Sequence, residues 1–219
     1  MRTRVKICGI TRVEDGVAAA GAGADAIGLI FWPRSPRFVE LEQARIIAEA
    51  VPAFVTVVGL FVDPEPEQVR AVLASVPLSA LQFHGDEPAQ LCGSFGRSYV
   101  KAVPVRPEID LLQYAARYPA ARALLFDAFQ PGGMPGGTGT TFDWTRLPLE
   151  LKDPMSRRLI LSGGLTPQNV GVAVRAVRPW AVDVSSGVEE RDGAGAPRRG
   201  IKSASRIVDF IRQVRDADG

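Results

Sequence analysis

The sequence is poor in the residues that build disulfide frameworks and metal sites, with two cysteines and one histidine among 219 residues. Cys8 and Cys92 are too few for a disulfide-stapled scaffold, and no Cys/His spacing typical of a metal site occurs. Unpaired thiols favour a reducing, cytoplasmic location, and no apolar core of an export signal follows the amino terminus. The single histidine, His84, limits which acid–base chemistries the chain can use.

Long apolar runs and a strong charge imbalance are also missing. The longest apolar run, residues 53–62, is too short to cross a bilayer, so no membrane partner is expected. The formal net charge of +2 is too close to neutral to favour a nucleic-acid partner. With 46% hydrophobic residues the chain can bury one sizeable core, which predicts a single domain over residues 1–219.

Short apolar runs alternate with helix-period segments along the whole chain. The runs predict eight strands, at 4–8, 26–31, 55–62, 80–83, 99–103, 123–127, 158–161 and 181–184. The segments between and after them predict helices at 13–22, 40–51, 65–75, 88–95, 108–117, 167–177 and 203–214, and a turn around 144–149. Uninterrupted apolar strands are typical of a parallel sheet buried on both faces. The pattern therefore predicts an α/β fold, a (β/α)₈ TIM barrel, with an open doubly wound sheet as the alternative. The first strand is not followed by G-x-G-x-x-G, which argues against a dinucleotide-binding version of that sheet.

Polar residues gather directly after the predicted strands, where barrel enzymes carry their active sites. Cys8 ends the first strand, Gln82 and His84 lie at the end of the fourth, and Asp127 ends the sixth. Each has a structural alternative: a small buried hydrophobe for Cys8, a hydrogen-bonded core residue for His84, and a loop-bracing carboxylate for Asp127. All of these residues lie at the carboxyl ends of the predicted strands. A purely structural barrel would not need polar residues gathered there, so the arrangement favours a functional site.

Two glycine-containing turns follow the seventh and eighth strands. Ser162-Gly163-Gly164 precedes a helical pattern, and Asp183 is followed by Ser185-Ser186-Gly187. Glycines let backbone N–H groups approach an anion closely, and helix N-termini add positive potential. Either turn alone is ordinary, but two at consecutive strand ends predict a phosphate site.

Two further residues carry specific expectations. Arg37, after the second strand, is a candidate for bidentate binding of a carboxylate; a surface arginine is the alternative, and Arg34 competes for the role.

Asp127 follows an apolar run, which raises the pKa of a carboxyl group. To stay protonated at neutral pH it needs a shift of ~3 units from ~3.9, roughly 4 kcal/mol.

Seven segments resemble, in order along nearly the whole chain, the phosphoribosylanthranilate isomerase family of tryptophan biosynthesis. They are KICGIT at 6–11, SPRFV at 35–39, LQFHGDE at 81–87, FDA at 126–128, GGTGTTFDW at 136–144, LSGGLTPQNV at 161–170 and DVSSGVE at 183–189. The resemblance implies a small (β/α)₈ barrel without metal or cofactor. It further implies an Amadori rearrangement of N-(5-phosphoribosyl)anthranilate to 1-(2-carboxyphenylamino)-1-deoxy-D-ribulose 5-phosphate.

Transferred residue by residue, the resemblance makes Cys8 the general base, Asp127 the general acid and Arg37 the partner of the anthranilate carboxylate. It places the substrate phosphate at the two glycine turns, on Gly163, Gly164, Ser185, Ser186 and Gly187, with Gln82, His84 and Asp183 as further binding residues. The bound iminium, Lys6 and a helix terminus are the candidates for lowering the pKa of the Cys8 thiol. Residues two apart in a strand share a face, so alternation places Lys6 on the face of Cys8 and permits it this role.

The chain departs from the family pattern before its last helix. Gly200-Ile201-Lys202-Ser203 stands where the family usually has Lys-Asp after the glycine, and the loop at 190–199 is longer than usual. These departures concern the approach to the last helix and not the acid or the base, so the resemblance does not fix the loop geometry near the phosphate.

Three other hypotheses remain open at this stage. One is another phosphosugar barrel, such as a pentose-phosphate epimerase or an indole-glycerol-phosphate lyase, which would rely on carboxylates rather than a thiol. The second is a non-catalytic phosphoribosyl sensor, which would not need both Cys8 and Asp127. The third is additional activity on the chemically parallel substrate of histidine biosynthesis. Oligomeric state is not predicted.

Overall fold

Eight parallel strands pair in sequence order and close into a barrel. The computed structural model describes residues 2–106, 108–128, 141–148 and 158–219. The strands are β1 Arg4–Cys8, β2 Ala26–Ile30, β3 Thr56–Phe61, β4 Ala80–Phe83, β5 Tyr99–Val105, β6 Ala123–Ala128, β7 Arg158–Leu161 and β8 Ala181–Val184. Because β8 pairs with both β7 and β1, the sheet has no free edge. The predicted barrel is confirmed, and the open sheet is wrong.

Helices follow most of the strands and cover the outside of the barrel. They are α1 Val13–Ala22, α2 Leu41–Ala50, α3 Pro66–Ser75, α4 Ala89–Gly93, α5 Leu111–Ala116, α6 Val170–Val177 and α7 Ala204–Ala217. α5 begins later than predicted because the Asp110 carboxylate accepts from the N–H groups of Leu112 and Gln113 and caps the helix there. The turn predicted around 144–149 is a short 3₁₀ helix, Trp144–Arg146, and residue 149 lies outside the described residues.

An antiparallel hairpin replaces the long loop predicted at 190–199. Its strands are β9 Glu189–Arg191 and β10 Pro197–Lys202. The Asp192 carboxylate closes the turn by accepting from the N–H groups of Ala194 and Ala196. The glycine- and proline-rich stretch at 130–139, which follows the sixth strand in the sequence, and residues 136–140 of the GGTGTTFDW motif lie outside the described residues.

Alternation along β6 determines which side chains point into the barrel. Leu124 and Phe126 belong to the large apolar cluster between strands and helices, whereas Leu125 belongs to a smaller separate cluster. Asp127, two residues after Leu125, therefore points into the barrel at its carboxyl end. Cys8 occupies the equivalent level of β1, in a second small cluster with Ile30 and Leu60.

Within the described part of the chain, every helix is too short or too polar to span a membrane.

Candidate active site

A single pocket at the carboxyl end of the strands brings together nearly all residues predicted from the sequence. Those that line it are Cys8, Arg37, Gln82, His84, Asp127, Gly163, Gly164, Asp183, Ser185 and Ser186. Gly187 is the exception, because it lies against the backbone of Leu165, where a Cβ would come within 1.8 Å of the carbonyl oxygen. Trp32, Ser35 and Leu165 also line the pocket and were not singled out from the sequence. Trp32 and Ser35 belong to the segment at 32–37 that follows β2 in the sequence. Their position directly after a strand was the feature that could have identified them.

Cys8 and Lys6 share the inner face of β1, as predicted. Lys6 is buried and its ammonium donates to Asp183 at 2.7 Å, which raises the pKa of Lys6 against the effect of its burial. The pKa of Cys8 is also raised, since burial outweighs the lowering effect of the Lys6 charge and Asp183 adds to the rise. The Lys6 charge therefore acts on the thiol in the expected direction, but burial outweighs it in this ligand-free site. Burial thus favours the neutral thiol of Cys8 over the thiolate.

The raised pKa of Cys8 predicts its reactivity. Alkylation of Cys8 by iodoacetamide is expected to keep accelerating with pH above ~8.5, the ordinary value for a thiol, because only the thiolate attacks. Burial raises the pKa of Cys92 to about 12, so Cys92 contributes little below that pH. Mass spectrometry of the two cysteine peptides across the pH range separates them, with Cys8→Ser as the control. A Cys8 rate that reaches its plateau below pH 8 would contradict this prediction.

Asp127, His84 and Gln82 form a hydrogen-bonded row along the wall of the pocket. His84 Nε2 lies 3.2 Å from Asp127 Oδ2, and His84 Nδ1 lies 3.0 Å from Gln82 Nε2. The other oxygen, Asp127 Oδ1, is beside Gly163, since a Cβ there would come within 3.1 Å of it. His84 thus contacts the candidate acid directly, which sequence reasoning did not foresee.

Arg37 is buried in the pocket wall, and the surface alternative is wrong; Arg34 is exposed and does not line the pocket. Arg37 Nε and Nη2 donate to the two carboxylate oxygens of Glu189 at 2.6 and 2.9 Å. Glu189 therefore occupies the Nε–Nη2 edge of the guanidinium. The other edge, Nη1 with the second N–H of Nη2, remains for a ligand carboxylate.

Glu189 joins the hairpin to the pocket through a buried charge network. It is fully buried and also accepts from the backbone N–H of Gly200 at 2.8 Å and from Lys202 Nζ at 3.2 Å. Burial alone would raise its pKa, but the hydrogen bond from Arg37 and the charges of Lys202 and Arg37 lower the pKa to about 2. Burial lowers the pKa of Lys202, whose ammonium also donates to the carbonyl and hydroxyl oxygens of Ser185. The network therefore fixes both Arg37 and the turn after β8.

Removing the Glu189 charge tests this network. Because the pKa of Glu189 is lower in the folded protein than its unfolded value of ~4.3, the carboxylate adds roughly 3 kcal/mol to the free energy of unfolding at pH values above ~4.3. This contribution is lost as the pH falls toward 2. Glu189→Gln is expected to lower the free energy of unfolding at pH 7 by about 3–5 kcal/mol, because Arg37 and Lys202 lose their counter-charge. Urea unfolding at pH 7 and at pH 3 should show a smaller difference at pH 3. The matched control is Glu190→Gln on the same hairpin, where the carboxylate pairs with exposed Arg198. An equal loss in both variants would contradict the role of the network.

The turns after β7 and β8 present backbone groups to the same pocket. Gly163 and Gly164 have φ of +88° and +60°, in the left-handed region that favours glycine. The Asn169 side chain holds this turn, accepting from the N–H of Thr166 at 2.8 Å and donating to the carbonyl of Gly164 at 2.9 Å. α6 begins at the next residue, so its positive N-terminal end points toward the turn. This arrangement, with the buried ammonium of Lys202 beneath Ser185, suits an anion.

A closed barrel that gathers a thiol, a carboxyl, an arginine and two glycine turns at the carboxyl ends of its strands defines a (β/α)₈-barrel enzyme. The family model of N-(5′-phosphoribosyl)anthranilate isomerase matches residues 5–212. The chain belongs to this family. It is therefore an isomerase of tryptophan biosynthesis. The epimerase, lyase and sensor hypotheses are wrong.

Individual relatives agree with this assignment over their full lengths. The N-(5′-phosphoribosyl)anthranilate isomerase of Thiobacillus denitrificans is 54% identical over 98% of this chain and 99% of its own. The crystal structure of the Thermotoga maritima enzyme is 42% identical, with a TM-score of 0.85 over 98% of this chain and 99% of its own. A solved isomerase in complex with reduced 1-(o-carboxyphenylamino)-1-deoxyribulose 5-phosphate is 40% identical, with a TM-score of 0.82 over the same shares.

Proposed function

We propose that this chain, acting as one catalytic domain over residues 1–219, rearranges N-(5-phosphoribosyl)anthranilate to 1-(2-carboxyphenylamino)-1-deoxy-D-ribulose 5-phosphate by acid–base catalysis. The observation that carries the proposal is that Cys8 and Asp127 line the same pocket as the two glycine turns. In the barrel order, β7 and β8 lie between β6, which bears Asp127, and β1, which bears Cys8. A sugar anchored by its phosphate at those turns would have one catalytic group on each side.

Ring opening is the first step. The substrate is a furanose that carries an aryl amine at C1, and cleavage of its C1–O bond needs a proton on the ring oxygen. Asp127 supplies that proton and becomes a carboxylate, while the nitrogen lone pair forms the C1 iminium. The hydrogen bond between His84 and Asp127 Oδ2 supports this role, since it stabilises the carboxylate left behind.

Removal of the C2 proton is the second step. The iminium acidifies that proton, and Cys8 as thiolate takes it, so that the electron pair forms an enol-amine, which tautomerises to the ketose. The thiolate is disfavoured in the ligand-free pocket, because burial raises the pKa of Cys8. The positive iminium, together with nearby Lys6, favours the thiolate once the ring has opened.

Substrate binding uses the remaining residues of the pocket. The phosphate is held at the turns of Gly163, Gly164, Ser185 and Ser186, and Gly187 supports the second turn from behind. The anthranilate carboxylate meets Arg37, whose Nη1 is not used in the pair with Glu189. Gln82, His84 and Asp183 complete the wall, although the Asp183 carboxylate is already paired with Lys6. We place the enzyme in the cytoplasm, in keeping with its free cysteines.

The deciding experiment is a fluorescence assay on freshly generated phosphoribosylanthranilate, with and without a chelator. Turnover that is insensitive to the chelator supports the proposal. Binding of the product analogue without turnover would favour a sensor, and loss of turnover on chelation would overturn the metal-free mechanism. A parallel arm with the aminoaldose substrate of histidine biosynthesis tests the second activity.

A further inference from the structure

The row Gln82–His84–Asp127 assigns the proton positions on the imidazole. Gln82 Nε2 belongs to an amide NH₂ group, which only donates, so the facing Nδ1 of His84 must accept at 3.0 Å. A neutral imidazole with an accepting Nδ1 carries its proton on Nε2. That N–H then donates to Asp127 Oδ2 at 3.2 Å.

We propose that Gln82 is a positioning residue that holds His84 as the Nε2–H tautomer and thereby leaves Oδ1 of Asp127 as the oxygen that carries the transferable proton. The inference rests on the proposed role of Asp127 as the acid. Oδ2 already accepts from the imidazole, and a proton on Oδ2 would weaken that bond. Oδ1 lies beside Gly163, in the turn assigned to the phosphate, so its proton faces the bound sugar.

The Gln82 side-chain amide can be placed in two orientations, which differ in the hydrogen bonds that they allow His84 to make. In the structure Gln82 is 1% exposed, and its Oε1 has no hydrogen-bond partner among the described residues. Rotating the Gln82 amide by 180° would place its NH₂ group where Oε1 now lies without a partner, and would place Oε1 against His84 Nδ1. The ring would then carry its proton on Nδ1, and its bare Nε2 could no longer donate to Asp127 Oδ2. The observed orientation keeps that donation.

The backbone that carries His84 is held independently of this row. The buried ammonium of Lys101 donates to the carbonyl of Gly85 at 2.6 Å and to Glu87 Oε2 at 3.0 Å. Glu87 Oε1 in turn accepts from the N–H of Gly85 at 2.9 Å. A change at Gln82 therefore alters the state of the imidazole ring without releasing the loop that bears it.

The test uses the fact that His84 is the only histidine in the chain. In ¹⁵N-histidine-labelled protein, the nitrogen chemical shifts of the neutral ring should show a protonated Nε2 and a bare Nδ1. Gln82→Glu places an acceptor against Nδ1 and should produce the Nδ1–H tautomer or the imidazolium. Gln82→Met removes the donor at similar length and should produce a mixture of tautomers. In both variants kcat should fall about 10–100-fold, with KM changed less than about threefold.

The control is Gln113→Glu, an exposed glutamine on α5, which should leave the nitrogen shifts and kcat unchanged. An Nδ1–H tautomer in the wild type would overturn the proposal, as would an unaltered tautomer or unaltered kcat in a folded Gln82 variant. Wild-type protein that fails to turn over phosphoribosylanthranilate would overturn the proposed function instead. The shift measurement needs no turnover and would still decide the hydrogen-bond assignment. Should Gln82→Glu fail to fold, Gln82→Met carries the same comparison.

Discussion

Cys8→Ala is expected to lower kcat for phosphoribosylanthranilate by about 10³-fold or more, while the barrel stays folded. The proposed base is the thiolate at the end of β1, and general acid–base groups of this kind contribute typically 10²–10⁴-fold. Alanine removes a single sulfur atom from the pocket, so the unfolding free energy should change by only about 1 kcal/mol. Steady-state fluorescence kinetics and thermal unfolding of the same preparation measure both effects.

The second cysteine provides a matched control. Cys92 is fully buried and does not line the pocket; its thiol lies 3.9 Å from the carbonyl oxygen of Glu87. Cys92→Ala should therefore keep wild-type kcat and cost a comparable amount of stability. Near-normal turnover in Cys8→Ala would remove Cys8 from the mechanism, and equal loss in both variants would point to a packing effect.

Strand positions were predictable because each barrel strand is buried on both faces and appears in the sequence as an uninterrupted apolar run. The same reasoning located Cys8 and Asp127, since side chains at strand ends of a closed barrel must converge on one rim. β5 was predicted to stop at residue 103, yet it continues through Pro104 to Val105. Pro104 stays in register with Asp127. A proline ordinarily argues against a central strand, and the neighbouring strand overrides that preference here.

Long-range pairs were beyond the reach of the sequence. Lys6 was correctly placed on the face of Cys8, but its effect on the thiol depends on Asp183, which lies 177 residues away and holds the ammonium. Arg37 was expected to be free for a ligand, but Glu189 occupies two of its nitrogens across 152 residues. Period-two and period-3.6 patterns report which face a residue occupies and carry no information about its partner across the barrel.

Local turn chemistry was misjudged for a different reason. The stretch at 190–199 contains glycine and proline, which indicate a loop, and its strands are short, with exposed residues next to the turn. The signal for a hairpin was Asp192 followed by Gly193 and Gly195, a turn that the Asp192 carboxylate closes. The hairpin matters for the site because it carries Glu189 and Lys202 to Arg37 and Ser185.

Asp127→Asn is the second large expected effect, a loss of about 10³-fold in kcat. An amide has nearly the shape of the carboxyl group, and its oxygen can still accept from His84 Nε2, but it has no acidic proton to give to the ring oxygen. Steady-state kinetics, together with calorimetric titration of the reduced product analogue, should show the loss in kcat with affinity nearly unchanged. Asp86→Asn, an exposed carboxylate after β4, is the control and should keep wild-type turnover. Retained turnover in Asp127→Asn, or an equal loss of affinity and kcat, would mean that the carboxyl binds substrate rather than protonating it.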